Sequence, residues 1–156
     1  MQLRTMEAAA VPSLIRGLSD PDVQIRRNVA LYIEWEGGNY ARHAPEPLNV
    51  KPFLPALTIA LRDPDERVKA LSAQALEHVG PDAVVAVPDL LRLLADPSVG
   101  LRNSACIGLA GIGSAASEAL PALQRALSDP SNDVRRFAQR AIDRIAPRAR
   151  WHESLH

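Results

Sequence analysis

The strongest constraint on this chain is a spacing. Asp-Pro occurs at Asp20-Pro21, Asp63-Pro64, Asp96-Pro97 and Asp129-Pro130, in steps of 43, 33 and 33 residues. A second set of prolines, Pro12, Pro55, Pro88 and Pro121, keeps the same steps. Leu14, Leu57, Leu90 and Leu123 follow two residues after these prolines, and Leu18, Leu61, Leu94 and Leu127 follow at six. An apolar-basic pair comes after each Asp-Pro: Ile25-Arg26, Val68-Lys69, Leu101-Arg102 and Val134-Arg135. Markers that share one register make the chain an array of related units, each able to bury its apolar face only by stacking on its neighbours.

Each unit reads as two helices. The first, such as VPSLIRGL, has apolar residues at helical spacing and its proline in the opening turn, where no backbone N–H is needed. Asp-Pro then ends it and starts the second helix, with the Asp side chain expected as N-cap. Taking Ile25, Val68, Leu101 and Val134 as offset 0, core positions recur at offsets 0, 4, 7, 8 and 11. They are Ile25, Val29, Tyr32, Ile33 and, against the pattern, Glu36; then Val68, Ser72, Ala75, Leu76 and Val79. The third and fourth sets are Leu101, Ala105, Gly108, Leu109 and Ile112; and Val134, Ala138, Ala141, Ile142 and Ile145. Small residues at the middle offsets allow close helix approach. Gly37, Gly80 and Gly113 are expected to end their helices in the left-handed conformation, and Ala146-Pro147 stops the fourth.

The fold class that follows is all-α, an α-solenoid of four helix pairs. The expected repeats are about 9–37, 51–80, 85–113 and 118–147 in a single domain 1–147, with a loop insertion at 38–50 and a tail at 148–156. The unit pattern, roughly A-V-P-x-L-x-x-x-L-x-D-P-x-x-x-V-R-x-x-A-x-x-A-L-x-x-I-G, resembles HEAT repeats of the short, bilin-lyase-like subtype over about residues 9–147. That resemblance implies first helices on the convex side and second helices on the concave side of an α-α superhelix. It also implies that the repeated Asp and Arg (Asp20 with Arg26, and so on) bond between neighbouring repeats as a ladder.

Composition narrows the function. Hydrophobic residues make up 47% of the 156-residue chain but aromatics only 4%, so Leu, Val, Ile and Ala fill the core. No run approaches the roughly 20 apolar residues of a membrane span, and the start is not a convincing secretory signal. Cys106 is the only cysteine, which excludes an internal disulfide and a Cys-based metal cluster and fits a cytoplasmic setting. Lys and Arg total 18, as do Asp and Glu, whereas a dominant nucleic-acid binder carries a basic excess. The surplus is local: residues 100–156 hold eight Arg against five acids.

The face of each second helix opposite the core is centred on offsets 2, 6 and 9. It carries Arg27, Leu31 and Glu34; Ala70, Gln74 and Glu77; Asn103, Ile107 and Ala110; and Arg136, Arg140 and Asp143. Trp35, His78, Gly111 and Arg144 flank it. Trp and Arg dominate interface energetics, so Trp35 and Leu31 are the candidate anchors, unless Trp35 folds over the helix end. In the insertion, Tyr40, Arg42 and His43 are the binding candidates, against an inert connection. The Arg-rich end reads either as a phosphate or acidic-partner site or as a solvated cap.

No nucleophile motif, phosphate loop or dinucleotide fingerprint is present; His152 and His156 stand four apart in the tail, but within the repeats the histidines form no i, i+4 metal pair, and no catalytic residue, metal or cofactor is assigned. The expected function is a non-enzymatic protein-binding scaffold or adaptor whose partner is another protein or peptide. The alternatives, both from the resemblance, are chromophore attachment as in bilin lyases and nucleic-acid binding through the basic C-terminal repeat.

Overall fold

The structure, a computed structural model, describes residues 2–38 and 48–147, with side chains from Ala10 onward. Among the described residues there are eight α-helices and no strand. They are α1 (Gln2–Gly17), α2 (Val23–Gly38), α3 (Leu54–Ala60), α4 (Glu66–Ala75), α5 (Val87–Leu94), α6 (Val99–Ile112), α7 (Leu120–Ala126) and α8 (Asn132–Ile145). Short 3₁₀ segments at Lys51–Phe53, Leu76–His78, Gly80–Ala86 and Gly113–Ala119 join them.

Helices α2, α4, α6 and α8 pack on one another in order, while the first-helix layer is spread by the 3₁₀ segments Gly80–Ala86 and Gly113–Ala119, which lie against each other. In the second layer the backbones nearly touch. A Cβ on Gly108 would lie 2.6 Å from the Ala73 carbonyl oxygen, and one on Gly111 would lie 2.3 Å from Glu77 Cα. A stack tight on one side and spread on the other curves toward the tight side, so the second helices line the concave face of an α-solenoid.

The core pattern holds in the last three units. Their offset residues are buried, with Ile142 half-buried. The first unit departs from it: Ile25 is 42% exposed and Tyr32 44%. The Gly108–Ala73 approach shows that offset 7 faces the preceding unit, and the first unit has no predecessor among the described residues. Offset 5 faces the following unit and is buried in Ala30, Ala73 and Cys106, whereas the fourth unit puts half-buried Gln139 there.

Asp-Pro does not cap the second helices. The Asp20, Asp63, Asp96 and Asp129 carboxylates instead accept the backbone N–H two residues on, at 2.8–2.9 Å. The caps are Asp65, Ser98 and Ser131, which accept from Val68, Leu101 and Val134. Proline disfavours a helical conformation in the residue before it, which keeps the Asp out of the first turn. Positive φ occurs at Gly113 (φ 67°), which ends α6 with ψ −144° rather than in a left-handed helical turn, and at Gly80 (φ 76°), which opens the 3₁₀ segment after α4, but not at Gly37, where α2 runs on to Gly38. Gly37 is there for space, since a Cβ would meet Val50 Cγ2 at 2.6 Å. Val99–Ala126 is together long and apolar enough for a membrane span. It is nonetheless two helices broken at Gly113, and Leu101, Leu109, Ile112 and Leu123 within it belong to the core.

The ladder exists with one rung missing. Arg26 donates to both Asp63 oxygens (2.7 and 3.2 Å) and Arg102 to both Asp129 oxygens (2.8 and 3.0 Å). The same guanidiniums donate to the carbonyls of their own Asp-Pro, Asp20-Pro21 and Asp96-Pro97. The Arg102 hydrogen bond holds the Asp129 carboxyl below the usual carboxylate range. Lys69 replaces arginine in the second unit, and no ion pair joins it to Asp96. A lysine has no planar fork to span a carboxylate and two carbonyls at once.

Candidate binding groove on the concave face

Between the C-terminal ends of α2 and α4 the second-helix layer opens into a groove of about 370 Å³. Glu34 and Trp35 line it from the first unit, Gln74, Glu77 and His78 from the second, and Ile107 from the third; Gly38 completes it. All but Gly38 stand on the face that helical spacing assigns to the side away from the core. Trp35 is 63% exposed, so its indole is open to solvent rather than folded onto the core. Leu31, one turn earlier on α2, is 37% exposed.

Local packing fixes the walls. His78 lies against the glycine backbone at the end of α2, with the Cβ positions of Gly37 and Gly38 each 3.1 Å from its ring. Side chains at Gly37 and Gly38 would push this imidazole away. Gln74 Nε2 donates to Ser104 Oγ (2.9 Å), and that hydroxyl donates to the Gly100 carbonyl, which ties the second unit to the third. Glu34 makes no ion pair among the described residues.

The remaining predicted residues are placed differently. The Arg27 guanidinium is held by both oxygens of Asp65 (3.1 and 2.5 Å), a tie between the first two units. This bond pulls the Asp65 carboxyl down to about 2. Arg140 Nη2 reaches Glu77 Oε1 at 3.4 Å across the third unit, and Arg144 Nε donates to the Ala110 carbonyl at 3.3 Å. Ala110, predicted on the open face, is buried. Arg136 is exposed, 3.8 Å from Asp133 and with its guanidinium 5.9 Å from the Phe137 ring. Tyr40, Arg42 and His43 lie outside the described residues. Sequence reasoning missed Asp65 as the partner of Arg27 and Glu77 as the partner of Arg140. The first follows from asking what lies one unit onward, and nothing in the spacing signals the second.

A larger depression of about 730 Å³ opens at the turn edge beside Asp20, Ile59 and Asp89. Of its charges, Arg26 pairs with Asp63 and Arg62 with the buried Asp89, which Arg92 also meets, while Asp20 accepts the Asp22 backbone N–H. Cys106 is fully buried, and burial pushes its thiol up to about 12, so it is packing and not a nucleophile.

A sequence profile for HEAT repeats matches residues 54–144. The chain belongs to the HEAT-repeat family. No curated protein sequence matches it. Among solved structures, this HEAT-repeat chain is similar to an engineered protein at 23% identity and a TM-score of 0.74, covering 90% of this chain and 64% of that one. A designed armadillo repeat protein in complex with the peptide (KR)4 matches at 22% identity and a TM-score of 0.73, covering 90% and 66%. The complex of CpcE and CpcF of phycocyanin lyase from Nostoc sp. matches at 23% and 0.55, covering 87% and 65%. The chain thus spans less than two thirds of each structure, and the likeness is one of fold.

Proposed function

We propose that this HEAT-repeat chain is a non-enzymatic scaffold that holds a segment of another protein, or a peptide, in the groove between α2 and α4. The observation that carries this reading is Trp35. A large aromatic side chain stands mostly exposed beside a groove that units one, two and three build together. A rigid aromatic anchor at low entropy cost is what tight interfaces are built on. The designed armadillo repeat protein bound to (KR)4 supports the reading, as a similar fold that receives a peptide. The basic end supports nucleic-acid binding less well, because Arg140 and Arg144 are turned onto Glu77 and the Ala110 carbonyl of their own chain.

A random-peptide display selection on the immobilised chain tests the proposal. Enriched peptides are expected to lose binding to Trp35→Ala and Leu31→Ala variants, both of which keep the fold because the two side chains are exposed. Peptides that bind these variants as well as the native chain would remove the groove from consideration.

A further inference from the structure

Arg140 belongs to the fourth unit, yet its guanidinium lies on a carboxylate of the second, 63 residues away in sequence. The third unit permits this because its wall is low. Where the first unit carries Trp35 and the second His78, the third carries Gly111, and Ala110 precedes it. Gly111 sits directly on the Glu77 backbone, so α6 places no side chain there. Arg144 lies over the same step, donating to the Ala110 carbonyl.

The groove itself is acidic and aromatic. Glu34 and Glu77 line it together with Trp35, and among the described residues the arginine that reaches it, Arg140, comes from the far end of the chain's own stack. Two carboxylates beside an exposed indole complement a cation of modest hydration, through charge attraction and through the negative face of the ring. A carboxylate-bearing or phosphorylated segment would meet two like charges there, at a cost in specificity.

We infer that the groove takes a basic segment of a partner protein, with an arginine or lysine side chain against the Trp35 indole between Glu34 and Glu77. Arg140 is a built-in competitor for the same acid. The inference rests on the groove reading above and adds to it the charge of the occupant and the device that weakens its hold. The Arg140–Glu77 pair is long at 3.4 Å and the Arg140 side chain is 55% exposed, so it yields readily to an incoming cation.

The test is fluorescence anisotropy at low ionic strength with three labelled peptides of one length, alternating alanine with arginine, glutamine or glutamate. The arginine peptide is expected to bind best, and more weakly as salt is added. Trp35→Ala weakens it roughly two- to thirtyfold, the span of a cation–π contact. Arg140→Ala tightens it roughly two- to fivefold, the worth of an exposed ion pair, and this gain disappears when Glu77→Gln is already present. An Arg140→Ala variant that binds no better, or a gain that survives Glu77→Gln, overturns the competitor. If the glutamine or glutamate peptide binds best and still depends on Trp35, the basic occupant is wrong while the groove stands. If no peptide's affinity changes with Trp35→Ala, both fall. Far-UV circular dichroism of each variant confirms that the fold is intact.

Discussion

Replacing Gly111 by alanine tests the tight inner layer of the stack. A Cβ at this position would lie 2.3 Å from Glu77 Cα, 2.6 Å from its carbonyl oxygen and 2.8 Å from its carbonyl carbon. Non-bonded carbon atoms settle at about 3.5–4.0 Å, so α6 has to retreat from the end of the second unit by about 1 Å. All three contacts are backbone, and no rotamer change relieves them. Overpacking costs about 1–3 kcal/mol, while alanine recovers about 1 kcal/mol of helix propensity over glycine. A main-chain clash belongs at the upper end of that range, which leaves a net loss of about 2 kcal/mol. At about 2–4 °C per kcal/mol for a domain of this size, Tm falls by about 4–8 °C. Gly100→Ala in the same helix is the control, because its nearest atom, Ser98 Oγ, is 3.6 Å away. It is expected to leave stability unchanged or to raise it by about 0.5 kcal/mol. Urea denaturation followed by far-UV circular dichroism compares the two, and equal midpoints for Gly111→Ala and Gly100→Ala would refute the close-approach argument.

Three further outcomes follow from the geometry. Lys69→Arg supplies the absent rung to Asp96 and is expected to raise stability by about 0.5–1 kcal/mol; an unchanged urea midpoint would mean that the rungs at Arg26 and Arg102 are not worth keeping. Asp65, held at about 2 by Arg27, has a folded pKa below its ordinary 3.8. Its contribution is therefore complete above about pH 4 and is lost as pH falls toward 2. Asp65→Asn, which retains an N-cap, should lose less stability across that window than the native chain, and parallel curves would count against the ion pair. Cys106, with its thiol pushed up to about 12, should react with Ellman's reagent at neutral pH only as the chain unfolds; rapid stoichiometric labelling of the folded chain would contradict its burial.

Much of the fold was legible because the Asp-Pro register and the core offsets are set by local chemistry repeated four times. Val68, Leu101 and Val134 were placed in the core by spacing alone, and they are buried. Ile25 and Tyr32 obey the same spacing and are half-exposed, because periodicity encodes a face and not how much of that face is covered. Gly37 resembled Gly80 and Gly113 in position, yet its backbone stays helical. What distinguishes it is Val50 and His78 pressing on it from outside its own unit. Helical phase sufficed to bring Glu34, Trp35, Gln74, Glu77, His78 and Ile107 to one groove. It could not show that Arg140 bridges two units, since that reach depends on the depth of a wall between them.

Arg135 donates to the Asp129 and Pro130 carbonyls as Arg26 and Arg102 do in their own turns, but among the described residues its Nη2 meets Asn132 of its own helix rather than an aspartate of another unit. It is one half of a bracket whose other half, for Arg26 and Arg102, is the aspartate of the next unit. A designer wishing to lengthen this protein therefore has a docking bolt in place. Grafting on another helix pair, with its aspartate at the established step, would set the half-buried amide of Gln139 where Ala30 and Ala73 carry a methyl.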